Sequence, residues 1–280
     1  MKLYLDTRDL INILERAKPF SEEQLFQCLQ QGSHQLAVSF HTVNELSVPL
    51  ASSTAKTTVM ALLTRLERMP ITFMHSKTKG LELKEALDAF SSQREYKELH
   101  PFVNRFDQTV DLEANPATSI YINYSLAETV WDLHNHGGLQ GLESYAPKMR
   151  ELIAADRSLL NPPSLRTNFV NVLQRSLKLY KLYLSTASLP AFATWVYNNA
   201  NRCPSLRLGH EVWHKIVANK TDALEDSDME DYQHLTCLPY VDLMTLDKRM
   251  HGYVSQALTN LGLDYHRRIF KSAQDALNCL

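Results

Sequence analysis

Residues 231–247 read DYQHLTCLPYVDLMTLD, and they decide how the fold of this chain is interpreted. The stretch begins in an acidic helical segment, breaks at Pro239 and continues as the apolar run Val241–Leu246. Such a run predicts a buried strand, and Asp247 follows directly at its end. A carboxylate at the end of a buried strand is costly unless it is used, and in open α/β sheets that edge is where ligands bind. The stretch therefore predicts an acidic side chain at the ligand-binding edge of a parallel sheet.

The N-terminal part of the chain repeats this arrangement. Residues 2–6 predict a short buried strand that ends at Asp6. Leu36–Phe40 predicts a second strand, and the helix that follows it carries Glu45. Ile71–Met74 predicts a third strand after another helix. Because strands and helices alternate, we expect a parallel α/β sheet flanked by helices.

The alternation stops at about residue 79 and returns after residue 222. In between, apolar spacing typical of long helices dominates, proline residues interrupt it, and no period repeats. The longest predicted helices are Leu81–Tyr96, Ser119–His134, Tyr145–Leu160 and Ser164–Leu184. We therefore predict an α/β domain assembled from both chain ends, residues 1–78 and 222–280, with an all-helical insertion at residues 79–221. Within the C-terminal part, His266–Phe270 predicts the last short strand.

Composition narrows the class of protein. The chain has 280 residues with a formal net charge of −2, so it lacks the global basic character of a protein that coats DNA. Its four cysteines are far apart and form no CxxC pair, which favours reduced thiols and a cytoplasmic location. No apolar run approaches the roughly 20 residues of a membrane span, and no signal peptide is expected.

Four carboxylates carry most of the functional information, namely Asp6, Glu45, Asp231 and Asp247. Taken singly, each has an ordinary explanation, such as a helix N-cap for Asp6 or a solvated helix position for Glu45. A parallel sheet would bring all four to one edge, where they repel one another unless they share divalent cations. Carboxylate oxygens are hard ligands that suit Mg²⁺ or Mn²⁺. This is the arrangement that a metal-dependent phosphodiesterase needs.

Together these segments resemble the PIN-domain nuclease family. The similar segments are Leu3–Thr7, Ser39–Leu46 and residues 231–247, and the resemblance covers about residues 1–75 and 222–280. It implies an endoribonuclease that hydrolyses RNA phosphodiesters with Mg²⁺ or Mn²⁺. The implied metal ligands, direct or through water, are Asp6, Glu45, Asp231 and Asp247. Asp228 and Asp242 are secondary candidates for ligands, and Thr245 and His234 are candidates for residues that orient the ligands. Arg8 stands where the family often has a small polar residue, and it is a candidate for a phosphate contact.

The resemblance also implies partners. We expect the substrate to be single-stranded or structured RNA. We expect the helical insertion either to shape substrate choice or to bind a protein partner or inhibitor. Toxin nucleases of toxin–antitoxin pairs are the commonest bacterial use of this fold. The sequence does not decide whether the protein forms a homo-oligomer, and no membrane partner is expected. The alternative from another class is a catalytically degenerate PIN-like module that only binds other proteins, and the distances among the four acids discriminate between the two.

A competing motif is present at His210–His214, which reads HEVWH and matches the HExxH signature of zinc peptidases. On a helix both histidines would face one side, with Glu211 as the general base. Lys215 is atypical directly after the second histidine, and no third ligand is evident. We therefore expect this segment to bind no zinc, and instead to be a helix that packs Trp213 and exposes its histidines.

Overall fold

The computed structural model describes residues 1–51, 55–109, 120–136, 145–159 and 164–280. The predicted helix boundaries at Ser119 and Leu160 lie outside these ranges. No helix in the described ranges combines the length and the apolar composition that crossing a bilayer requires.

The described residues form one six-stranded sheet in the order β4-β3-β2-β1-β5-β6. Its strands are β1 Lys2–Tyr4, β2 Gln35–Ser39, β3 Ile71–Met74, β4 Phe102–Val103, β5 Leu243–Thr245 and β6 Ile269–Phe270. The central strand β1 pairs in parallel with β2 on one side and with β5 on the other. Leu3 lies opposite Leu36 and Leu243, so the two ends of the chain meet in the middle of the sheet. The α/β class and the assembly of the sheet from both chain ends are therefore confirmed.

Helices connect and cover these strands. They are α1 Thr7–Arg16, α2 Glu22–Gln31, α3 Phe40–Ser47, α4 Lys56–Glu67, α5 Thr78–Ser91, α6 Leu126–Asn135, α7 Tyr145–Ser158, α8 Leu165–Leu179, α9 Leu189–Tyr197, α10 Pro204–Ala218, α11 Asp226–His234, α12 Lys248–Leu261 and α13 Ala273–Leu277. Short 3₁₀ helices lie at Val48–Ala51, Phe106–Thr109, Leu235–Tyr240 and His266–Arg268.

The two faces of the sheet bury different cores, because side chains alternate along a strand. Leu3 and Leu5 point to one face and pack with α1, α2, α3, α4 and α6. Tyr4 points to the other face and packs with residues of α10, α11 and α12. The sheet is thus the middle layer of a three-layer arrangement, which explains why Leu3 and Tyr4 of its central strand are both fully buried although they point to opposite faces.

The described residues between positions 79 and 221 are mostly helical, and part of them forms a third core. Leu83 of α5, Phe169 and Leu173 of α8, and Phe192 of α9 are buried together there. Helices at other points of the block belong to the layers that cover the sheet, since α6 packs on α4 and α10 packs on α12.

Two expectations about the sheet were wrong at strand β4. Phe102–Val103 lies within the block predicted to be all-helical, and it pairs with β3 in an antiparallel direction. The backbone N–H of His75 donates to the carbonyl of Pro101 over 2.8 Å, which extends this pairing. A strand of two residues has no periodicity of its own, so its existence depends on the exposed edge of β3 rather than on local sequence.

Candidate functional site

The carboxyl ends of β1 and β5 hold two of the predicted acids side by side. Asp6 follows β1 and caps α1, accepting the backbone N–H of Arg8 over 2.8 Å. Asp247 follows β5 and caps α12 by accepting the backbone N–H of Met250. The N-cap interpretation of Asp6 therefore holds, Asp247 caps its helix in the same way, and each cap uses the Oδ1 atom. Since β1 and β5 are neighbours, both carboxylates lie at the same edge of the sheet.

Thr245, the last residue of β5, ties these two junctions together. Its side chain is 1% exposed, and its hydroxyl accepts the backbone N–H of Asp6 over 2.7 Å. Asp9, in the first turn of α1, also hydrogen-bonds to Thr245. Burial raises the pKa of Asp9, the bond to Thr245 opposes this shift, and the charge of Asp6 adds to it. Asp9 is thus a fifth acid near this edge that sequence reasoning missed, although its position three residues after Asp6 was an available signal.

Glu45 reaches the same region from the neighbouring strand. Helix α3 begins at Phe40 directly after β2, and Ser39 caps it through the backbone N–H of Thr42 over 3.0 Å. Glu45 lies in the second turn, where its Oε2 accepts the hydroxyl of Thr7, the residue after Asp6. This contact places the Glu45 carboxylate beside the end of β1.

A buried chain of hydrogen bonds supports Glu45 from below. The Glu45 Oε1 lies 2.9 Å from Nε2 of His234, and Nδ1 of the same ring contacts the hydroxyl of Tyr4. The Tyr4 hydroxyl also lies 2.9 Å from Oγ of Ser39 and 2.8 Å from Oγ1 of Thr42. Burial alone would lower the pKa of His234, but the Glu45 carboxylate raises it above its usual value. Burial raises the pKa of Glu45, but the charge and the hydrogen bond of His234 lower it by more. The pKa of Glu45 is therefore below its usual value, and the carboxylate is held ionised.

Asp231 lies on α11, three residues before His234, and completes the set of four. Its pKa is raised to about 8, first by burial and then by the negative charges of Asp6 and Asp247, with a smaller contribution from Glu45. Asp6, Asp247 and Glu45 all contribute to this shift, and His234, one helical turn after Asp231, bonds to Glu45 over 2.9 Å. Asp231 therefore lies near the three other predicted acids, on the side of the sheet where β1 and β5 end.

The donor set fits a hard divalent cation, although the side chains are not arranged around one. Within the described ranges, no three His, Cys, Asp or Glu side chains form a ready-made metal site. Carboxylate oxygens are nevertheless the ligands that Mg²⁺ and Mn²⁺ prefer. The mutual repulsion that raises the pKa of Asp231 is also what a shared cation would relieve. Asp6, Glu45, Asp231 and Asp247 are the residues that would hold it.

Asp242 and Asp228 lie away from the four acids, so the prediction that they are secondary metal ligands was wrong. Asp242 accepts the backbone N–H of Lys2 over 2.6 Å, at the start of β1. It therefore lies at the amino end of the strand that ends before Asp6, on the opposite edge of the sheet. Asp228 accepts the backbone N–H of Glu225 over 2.7 Å and pairs with Arg249, which neutralises its charge. Neither carboxylate joins the group of four.

Arg8, the remaining secondary candidate, is exposed at the rim of this edge. Only its backbone N–H contacts Asp6, and the charge of its guanidinium lowers the pKa of Asp9 slightly against the effect of burial. This position is compatible with a contact to a phosphate that approaches from solvent.

The HExxH segment lies in α10 and is packed into the core. His210 is buried, its ring lies edge-on to Phe169 with centroids 5.2 Å apart, and burial together with Arg207 lowers its pKa to about 3. Glu211 is also buried and accepts the side-chain amide of Asn260 over 2.8 Å. A catalytic zinc site needs a position open to substrate. The expectation that these histidines are exposed was wrong for His210, and the contacts of this segment are those of a packing helix.

No protein-family model matches the chain, and comparisons with curated proteins and with solved structures likewise found no match.

Proposed function

We propose that the protein is a PIN-like, divalent-metal-dependent endoribonuclease that hydrolyses RNA phosphodiesters at the carboxyl edge of its sheet. The observation that carries this proposal is the meeting of Asp6, Glu45, Asp231 and Asp247 at that edge. Ligands of open α/β sheets bind at this edge. RNA as the substrate and the use as a toxin come from the family resemblance, the cytoplasmic location comes from the dispersed cysteines, and all three are parts of the same proposal.

In this proposal, different residues of the chain bind the metal and position its ligands. The four carboxylates supply the negative charge that holds Mg²⁺ or Mn²⁺. Thr7 and His234 hold the two oxygens of Glu45, and Thr245 positions the backbone of Asp6. A divalent cation held by these residues would supply a bound water of lowered pKa and would neutralise charge on the scissile phosphate.

An enzyme accounts for this edge better than a degenerate interaction module does. Burial and the charges of Asp6 and Asp247 raise the pKa of Asp231, so ionising it costs free energy that a purely structural site has no need to spend. The hydrogen bonds from Thr7 and His234 keep Glu45 ionised in place, as a ligand requires.

The test is cleavage of a fluorescently labelled single-stranded RNA by the parent protein, Asp6→Asn and Asp242→Asn, each with Mg²⁺ or Mn²⁺ and with chelator. Asparagine caps a helix as well as aspartate does, so Asp6→Asn should fold but lose at least about 100-fold in rate. Asp242→Asn is the matched control, because it changes an aspartate at the opposite edge of the same sheet.

We expect the control to retain full activity and the chelator to abolish it in every protein. Undiminished cleavage by Asp6→Asn would show that the activity lies elsewhere. A parent that cleaves no RNA with either metal would favour the interaction module instead.

A further inference from the structure

A cavity of about 380 Å³ adjoins the carboxylate edge. It lies where the carboxyl ends of β2 and β3 face the helical block, and residues of α3, α5, α7, α8 and α11 contribute to its walls. Its volume falls in the range of about 300–1,000 Å³ that is typical of small-molecule sites. Polar and aromatic side chains of its lining include His41, Lys79, Tyr180, Tyr232 and Gln233.

His41 connects this cavity to the carboxylates. It lines the cavity from the first turn of α3, one helical turn before Glu45. Its ring lies edge-on to that of His234, with centroids 6.2 Å apart, and His234 bonds directly to Glu45. His41 therefore joins the wall of the cavity to the hydrogen-bond network that holds Glu45.

Lys79 gives the cavity a cationic wall. Its ammonium nitrogen lies 5.9 Å from the centroid of the Tyr232 ring, and none of the described acids lies within ion-pair distance of it. Burial lowers the pKa of Lys79, and the charge of Glu82 opposes this shift without cancelling it. An anionic group in the cavity would oppose it further.

Two tyrosine rings form fixed walls. The Tyr232 hydroxyl donates to the carbonyl of Gly209 over 2.8 Å, and its ring packs edge-on against Trp213. The Tyr180 ring lies so close to Gly80 that a Cβ added there would be 2.6 Å from Cδ1. Glycine at position 80 thus makes room for this ring. Held aromatic faces beside a cation are the means by which proteins bind the bases and phosphates of single-stranded RNA.

We propose that this cavity is a nucleotide subsite that binds the base and one phosphate of the RNA nucleotide next to the scissile bond. The proposal rests on the nuclease function proposed above. Lys79 contacts the phosphate, Tyr180 and Tyr232 contact the base, and the amide of Gln233 hydrogen-bonds to the base edge. Because the helical block supplies Tyr180, this part of the chain takes part directly in substrate selection.

The experiment measures binding without cleavage. A fluorescent tetraribonucleotide is titrated in chelator against the parent, Lys79→Gln and Lys77→Gln, with adenosine monophosphate, uridine monophosphate and inorganic phosphate as competitors. Lys77 is an exposed lysine two residues away, so it controls for the general loss of positive charge. We expect the Kd to rise about tenfold for Lys79→Gln and to stay unchanged for Lys77→Gln. In the cleavage assay the KM should rise by a similar factor with little change in kcat.

A second variant, Tyr180→Leu, tests the base contact and should weaken binding by about fivefold or more. Thermal melting of each variant establishes that it is folded, and if Lys79→Gln unfolds, Lys79→Met replaces it. Equal binding by the two lysine variants would overturn the subsite, as would inorganic phosphate competing as well as the nucleotides.

Failure of the subsite and failure of the nuclease give different results. Binding that depends on Lys79 in a protein that cleaves no RNA would support the subsite and refute the nuclease. Metal-dependent cleavage with the same KM in the parent and in Lys79→Gln would overturn the subsite and would still support the nuclease function.

Discussion

Tyr4 shows how one polar atom organises the candidate site. Its side chain is fully buried in the central strand, where an apolar residue would pack as well. The hydroxyl is nevertheless shared among Ser39, Thr42 and His234, which come from the neighbouring strand junction and from α11. Buried polar groups are retained when they are fully hydrogen-bonded, and such networks specify one arrangement of the surrounding elements. Here the network orients the histidine that holds Glu45.

We predict that Tyr4→Phe destabilises the protein by about 1–3 kcal/mol, because the ring stays while three buried polar side chains lose a partner. Urea denaturation measures the difference in the free energy of unfolding. Tyr183→Phe is the control, since Tyr183 is 86% exposed and its change should alter stability by less than about 0.5 kcal/mol. Equal stability of the two variants would contradict a structural role for the Tyr4 hydroxyl.

At the scale of elements, the junctions between strands and helices do two jobs at once. Asp6 and Asp247 each follow a strand and cap the next helix, and Ser39, the last residue of β2, caps α3. A helix N-terminus favours negative charge through its dipole and its unpaired N–H groups. The fold therefore stabilises carboxylates at the edge where the proposed chemistry needs them, and the cap and ligand interpretations of Asp6 and Asp247 are compatible.

Helix α12 offers a matched pair of glycine substitutions. Gly252 lies in its interior, where an added Cβ meets no atom within 4 Å, so Gly252→Ala should stabilise the protein by about 0.5–1 kcal/mol. Gly262 ends the helix at a φ of 64°, so Gly262→Ala should destabilise it by about 1 kcal/mol. Thermal and urea unfolding of both variants measure these changes. Shifts of the same sign would contradict this account of the helix.

At the scale of the whole molecule, one buried carboxylate joins the helical block to the C-terminal part of the chain. Glu82 of α5 accepts the backbone N–H groups of Ser205 and Leu206, over 2.8 Å and 3.2 Å, at the start of α10. It also accepts the hydroxyl of Tyr240, from the 3₁₀ helix that precedes β5. The first-turn N–H groups of α10 thus find their partner on another helix rather than in a local cap.

This arrangement predicts a pH dependence of stability. Burial raises the pKa of Glu82 above its usual 4.5, and the bonds from Tyr240 and the α10 backbone oppose this shift without cancelling it. Between the unfolded and folded pKa values the native state binds more protons, so the free energy of unfolding falls as the pH rises above 4.5. Glu82→Gln should lack this component of the slope.

Urea denaturation at several pH values from 4.5 to 8 compares the parent with Glu82→Gln and with Glu23→Gln, an exposed control on α2. We expect the control to follow the parent. A Glu82→Gln profile that also parallels the parent would show that Glu82 is ionised at no cost in the folded protein.

Local sequence determined the elements that carry their own pattern. Strands were predicted at residues 2–6, 36–40, 71–74 and 241–246, and the structure has them at residues 2–4, 35–39, 71–74 and 243–245. Alternation, apolar runs and helix caps act over a few residues, so they can be read without knowing the fold. The acids at the ends of these strands were therefore identifiable as candidates.

Only the tertiary structure decided which residues meet. Glu45 and His234 are 189 positions apart, and Asp6 and Thr245 are 239 apart. Other contacts between distant segments placed Asp242 at the opposite edge, paired β4 in an antiparallel direction and brought Asp9 to Thr245. Strand order and side-chain packing are set by the combined burial of distant segments, which no local period encodes. The sequence thus determined which carboxylates were candidates, and the sheet decided which of them share an edge.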